Sequence, residues 1–282
     1  MNARLRALLF ILVAPGLRIA HAGEPPDYIR YTEDARSARL EIAIKTFTMP
    51  SGKKVDLVGA VHIADDAYYQ ELNKRFDSYD TVLFELVGDP KRLTENAPLT
   101  GGGTVSSIQQ AAGRYLNLTF QLGAIDYTKK NMVHADATME EFETMQKERG
   151  ETMLSLFARA MQAQLNGQMD SAAMGELDTF GLIRILISPD SAAAFKKALA
   201  KSFGQMEVLT AAIEGKDGTA ILGGRNAVVV NKIKEVLAQK KQRRIAVFYG
   251  GAHMPGIESS LINDMKAKAS GEEWLAAWTM PK

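Results

Sequence analysis

Two short stretches of the chain, LVGAVHIADD from Leu57 and FYGGAHMPGI from Phe248, repeat one arrangement. Each has an apolar strand-like run, then glycine, two residues and histidine, then a helix-like start. The pairs are Gly59–His62 and Gly250–His253. Random placement of 23 glycines and 4 histidines in 282 residues gives roughly 0.3 such matches, so position carries more weight than count. In open α/β sheets the carboxyl ends of parallel strands form the ligand crevice. If the two strands are parallel neighbours, His62 and His253 share that crevice. Glu85, in LFEL, adds a carboxylate within another apolar strand, where it is costly unless paired or bound to a cation. His62, Glu85 and His253 make a donor set for Mn, Co, Zn or Fe as divalent ions. Such an ion lowers the pKa of bound water and polarises a carbonyl. The plainer alternative pairs Glu85 with Arg225 and leaves the histidines bonded to backbone.

Further polar groups sit at element ends. Asp136, in VHAD, ends a short strand, with His134 two residues earlier on the same strand face. Either can enter the site or cap the helix that follows. Arg225-Asn226 opens a helix; Asn226 suits capping, and Arg225 suits a carboxylate partner or a developing oxyanion. Glu85, Arg225 and Asp136 are therefore candidate catalytic residues, with Asn226 and Tyr249 on the substrate-binding side. No Gly-x-Ser-x-Gly elbow and no His-Glu-x-x-His occurs, so neither that class of serine hydrolase nor a zincin is supported.

The elements that must position these groups are legible. Two strands flank a Pro50-Ser51-Gly52 turn, the second running Val55–Val61. Asp65 or Asp66 caps a helix to about Ser78, and Thr81–Val87 is the next strand, completing a βαβ unit. Glu95–Thr104, with three glycines, reads as a connection and not as a phosphate cradle. A helix over about Val105–Leu116 and a strand at Met132–Asp136 follow. Thr138 and Glu141 form a capping box that opens a nearly all-helical stretch, about 139–221. Seven of the 13 methionines fall there, which favours packing helices over a lid or an apolar groove. A helix restart is expected at Ser188-Pro189. The α/β pattern then returns: a helix from Asn226, a buried strand at Arg244–Gly250, a helix from Pro255 and an edge strand at Trp274–Met280.

The first 22 residues read as a signal peptide: Arg4 and Arg6, an apolar run Ala7–Val13, and Ala20-His21-Ala22 before Gly23. An uncleaved anchor is the alternative. Cleavage removes three of 34 basic residues and none of 33 acidic ones, leaving 31 against 33. That balance argues against nucleic acid as partner. With no cysteine, a disulfide framework, a thiolate nucleophile, cysteine-ligated zinc and a lipoprotein anchor are excluded.

The stretches VDLVGAVHI, VLFELVGDP, RNAVVV and IAVFYGGAHMPGIE resemble the TraB/PrgY/GumN family, which includes the TIKI proteins; VHADATMEEF resembles its bacterial secreted branch. The resemblance implies a fold similar to erythromycin esterase-like and ChaN-like proteins. It also implies a divalent-metal-dependent, peptidase-like site, with His62, Glu85 and His253 on the metal positions and Arg225 and Asn226 on the Arg-Asn positions. One departure is Gly224, where many relatives carry glutamate.

Together these readings predict an α/β domain over residues 23–282, with a central mixed sheet built from N- and C-terminal βαβ-like halves around a helical insertion. The expected protein is periplasmic or secreted and has no transmembrane segment after cleavage. The expected function is metal-dependent hydrolysis of a peptide or peptide-like substrate. A metal-free esterase-like hydrolase using a histidine base, and a binder of haem, iron or peptide, are the alternatives.

Overall fold

Alternation along Arg244–Gly250 (β8) fixes the layering, because successive strand side chains point to opposite faces. Ile245, Val247 and Tyr249 pack with Val229, Val230, Ile233 and Val236 of helix α5 (Arg225–Ala238) and with Ile257 and Leu261 of α6 (Met254–Asn263). Ala246 and Phe248 pack on the other face with Tyr68, Tyr69, Leu72 and Phe76 of α1 (Asp66–Phe76). Phe76 meets Phe248 edge to face, ring centroids 5.1 Å apart. A sheet covered on both faces needs continuously apolar strands, which explains runs such as IAVFY. This computed structural model describes residues 28–93, 116, 118–152, 155, 158, 159, 162, 183–185, 187–214 and 218–281.

The sheet is mixed. Its parallel part runs in the order β3 (Lys54–Ala60), β8, β5 (Thr81–Phe84), β7 (Met132–His134). Ala60 pairs with Gly250 and Phe84 with Phe248, so these strands end at one rim. The antiparallel part is built on β2 (Ser37–Thr48). Its second half pairs with β3 and its first half with β1 (Ile29–Glu33), while β9 (Lys268–Pro281) follows its whole length. The early and late α/β segments thus form one sheet, as their patterns require. Among the described residues no helix is long and apolar enough to cross a membrane.

Several boundaries differ from expectation. β5 stops at Phe84, so Glu85 is the first residue beyond the strand and not inside it. Its backbone N–H still reaches Phe248 O at 3.2 Å. The edge strand starts at Lys268 instead of Trp274, because polar residues on an exposed sheet edge carry no apolar alternation to read. The capping box at Thr138 and Glu141 forms as read. Its helix α3 (Met139–Glu148) closes after ten residues, since Gly150 turns the chain at φ +61°. Helix α4 (Ser191–Glu214) begins just after Ser188-Pro189. The connection Glu95–Thr104, most of the helix expected over Val105–Leu116, the signal peptide and much of the methionine-rich stretch lie outside the described residues.

Candidate functional site

The two Gly-x-x-His motifs reach one rim and then diverge. After β3 the chain adds a two-residue strand, β4 (Ile63–Ala64), which pairs with β6 (Thr119–Phe120) before α1 begins. After β8 it coils at once through a 3-10 turn, Gly251–His253, into α6. His253 is consequently buried and His62 exposed.

The backbone around His62 is fixed on every side. Tyr68 Oη donates to Gly59 O at 2.9 Å and Tyr69 Oη to Val61 O at 2.8 Å. Gln121 N–H, at the start of α2 (Gln121–Ala124), donates to His62 O at 2.9 Å. Trp278 Nε1–H donates to Ile63 O at 2.7 Å. The ring itself forms no hydrogen bond or ion pair among the described residues. A rigid backbone thus presents an uncommitted imidazole at the rim.

The other strand ends of the rim carry a buried charge cluster centred on Arg225. Its Nε donates to Asp136 Oδ1 at 2.9 Å and Nη2 to Asp136 Oδ2 at 2.6 Å. Nη2 also donates to Glu85 Oε1 at 2.5 Å. Nη1 faces His253 Nε2 at 3.2 Å and Ile221 O at 3.5 Å, the longest contacts of the set. Gly250 N–H donates to Glu85 Oε2 at 2.6 Å, joining β8 to the carboxylate. Each member is delivered by a strand end or a helix start, which explains why groups so distant in sequence meet.

Asn226 sets the His253 tautomer. Asn226 Nδ2 donates to His253 O at 3.3 Å, so its Oδ1 faces His253 Nδ1 at 2.7 Å. An amide oxygen only accepts, so Nδ1 carries the proton and Nε2 a lone pair. Glu85 Oε1, 3.5 Å from Nε2, would favour a proton there instead. The shorter contact decides, because Arg225 Nη1 can only donate. Burial works to raise the Glu85 pKa; a His253 protonated at Nε2 would lower it, and the Arg225 charge and the Gly250 N–H lower it with His253 neutral, the net direction being below the usual range. Burial opposes the Arg225 charge, and Asp136 and Glu85 overcome it, raising its pKa.

Thus Glu85, Asp136, Arg225, Asn226 and His253 come together, and His62, past the end of the neighbouring strand β3, forms no hydrogen bond or ion pair with them. Tyr249 is fully buried; its hydroxyl donates to Ala135 O at 2.6 Å and its ring meets His253 edge-on at 5.3 Å. It ties β7 to β8 and supports His253. His134 Nε2 contacts Leu86 O at 2.6 Å, a backbone tie beyond β5. Two groups that the sequence did not flag also border the site. Gln121 Nε2 donates to Tyr127 Oη at 3.0 Å, and Tyr127 packs on Phe84 with centroids 4.9 Å apart. Burial pushes the Tyr127 phenol up to about 12, Gln121 lowers it and the Glu85 charge raises it, so it stays protonated. A lone Gln and Tyr between short elements carry no motif by which to find them.

For a resident divalent ion the residue types fit and this arrangement does not. The Arg225 guanidinium contacts both Glu85 Oε1 and His253 Nε2, the atoms that would ligate. Among the described residues no group of three or more His, Asp or Glu is placed to hold a metal. Compared with known proteins, the chain matches no family model and has no significant match among curated proteins.

Proposed function

We propose that this chain is an exported hydrolase acting on a peptide or ester carbonyl at the rim formed by β3, β8, β5 and β7. One observation carries the reading: His62, an exposed imidazole with no hydrogen bond or ion pair among the described residues, follows β3 at the same rim where the neighbouring strand ends gather a buried guanidinium whose Nη1 end is loosely engaged. The resemblance to the TraB/PrgY/GumN family and the leader-like first 22 residues support it.

In this reading His62 takes a proton from water, and the water oxygen attacks the carbonyl carbon. The C=O electron pair moves to oxygen. That oxyanion accepts from Arg225 Nη1–H, whose contacts of 3.2 and 3.5 Å are the longest the guanidinium makes. Asp136 and Glu85 hold the other end of the guanidinium still. The protonated His62 then gives its proton to the leaving nitrogen or oxygen as the bond to carbon breaks. Asn226 and Tyr249 act here by positioning His253 and β7, and contact with substrate falls to the rim groups.

A metal-dependent form of the same reaction is favoured by one feature. With His253 neutral, two carboxylates and one guanidinium leave a buried charge of −1, and the imidazole lone pair is oriented as in a ligand whose other N–H is held by an oxygen. His62, Glu85 and His253 would hold the ion once Arg225 released Glu85 Oε1 and His253 Nε2. Bound there, it would supply Lewis acidity.

Metal analysis of the purified protein, with peptide- and ester-library hydrolysis before and after chelation, separates these forms. Full turnover after chelation establishes the metal-free route. Loss restored by Mn, Co, Zn or Fe establishes the metal route. Tight binding of haem, iron or peptide with no hydrolysis overturns the enzyme reading.

A further inference from the structure

Helix α3 meets the segment carrying Arg225 at two places. At its N-terminal side, Asp136 grips the guanidinium through Nε and Nη2. At its C-terminal side the helix ends in a left-handed Gly150, and Glu151 N–H returns to Gln146 O at 2.9 Å, the pattern of a glycine C-cap. That turn swings the buried Glu151 carboxylate onto Ala220 N–H at 2.9 Å. Ala220 opens a five-residue π-helical turn, Ala220–Gly224, which runs directly into Arg225. Wide turns of this kind are uncommon and are held by local contacts. Thr219 supplies another, accepting Leu222 N–H at 3.2 Å while its hydroxyl donates to Glu214 Oε2 at 2.6 Å.

Between the two grips, Met145 packs onto the turn. A Cβ on Gly224 would stand 2.7 Å from Met145 Sδ, so the absent side chain is what lets α3 lie this close. Ten helical residues span about 15 Å, so α3 acts as a strut of fixed length between side chain and backbone.

We infer that Glu151 is a positioning residue for Arg225. It anchors the π turn so that the guanidinium stays oriented between Asp136, Glu85 and His253. Glu151 touches no reacting atom and acts only through the turn. The inference rests on Arg225 as the group that answers substrate charge; its test needs no turnover.

The experiment is hydrogen exchange of the Arg225 Nε–H, followed by NMR on the full-length labelled protein, with the Val247 amide in the central strand as reference. Glu151→Ala should speed Arg225 exchange by roughly one to two orders of magnitude, the scale of a lost hydrogen bond to a charged acceptor, and leave Val247 unchanged. Glu151→Gln, which keeps an acceptor oxygen, should restore most of the protection. If Glu151→Ala does not fold, Gly150→Ala gives the second reading: nothing stands within 4 Å of its new Cβ, so only the positive φ is penalised and the cap is displaced. Arg225 exchange that is unchanged, or that accelerates in step with Val247, overturns the inference. A library assay without turnover would sink the hydrolase reading and leave this result standing.

Discussion

Arg225 and Asp136 meet end-on, Nε to Oδ1 at 2.9 Å and Nη2 to Oδ2 at 2.6 Å, with the Asp136 side chain wholly out of solvent. A buried charge pair adds little net stability over apolar packing, yet breaking one is expensive. Asp136→Asn should therefore lower unfolding free energy by ~3–5 kcal/mol at neutral pH, measured by urea titration. Glu41→Gln breaks the partly exposed Arg30–Glu41 pair and should cost under ~1 kcal/mol. Equal effects would mean that the site pair is solvated in solution.

Glu85 predicts a pH signature. Its folded pKa is depressed from an ordinary value of 4.5, so its stabilisation is complete above that value and is lost as pH falls through the folded pKa. The stability difference between wild type and Glu85→Gln should be flat from neutral pH down to about 5 and shrink at lower pH. Denaturant melts across that range check this. A difference that grows on acidification would contradict the assigned charge state.

His62 separates stability from activity. Its ring is exposed and has no partner among the described residues, so His62→Ala should change stability by less than ~0.5 kcal/mol. Turnover should fall by about 10²-fold or more, as for loss of a general base. Thermal melts and hydrolysis of whichever library substrate the wild type cleaves give both numbers.

Gly256→Ala sets two effects against each other. Alanine in a helix gains up to about 1 kcal/mol over glycine. The new Cβ would lie 2.5 Å from Asn226 Nδ2, the end of a side chain that can swing away. Stability should therefore stay within ~1 kcal/mol of wild type. The displaced Asn226 would release the His253 ring, so the His253 Nδ1–H resonance should broaden or vanish in proton NMR.

N-terminal sequencing of the exported protein should read Gly23, from the small residues Ala20 and Ala22. An intact Met1 in a membrane fraction would favour the anchor.

What the sequence disclosed follows the range of each interaction. Val55–Val61 and Arg244–Gly250 are apolar because both faces are covered, and that is visible residue by residue. Their parallel pairing, and hence the shared rim, was not readable, because the βαβ unit joins β3 to β5 and β8 enters between them from far along the chain. The choice between a metal set and an Arg225–Glu85 pair was not readable, because it turns on where a guanidinium points. The difference between the two histidines was equally hidden. It depends on β4 pairing with the two-residue β6, too short to leave a pattern. The π turn and the reach of Glu151 depend on contacts across 69 positions, which no local window contains.

The place of β8 in the strand order sets when the site can exist. It lies between β3 and β5, although both precede it in the chain by about 160 residues or more. Until Arg244–Gly250 is available, β3 and β5 have no neighbour between them, and Glu85 lacks Gly250 and His253. Such late, long-range closure makes folding slow. If the leader-like first residues direct export of the unfolded chain, that delay would keep it threadable, and the proposed site would stay incomplete until its last central strand had crossed.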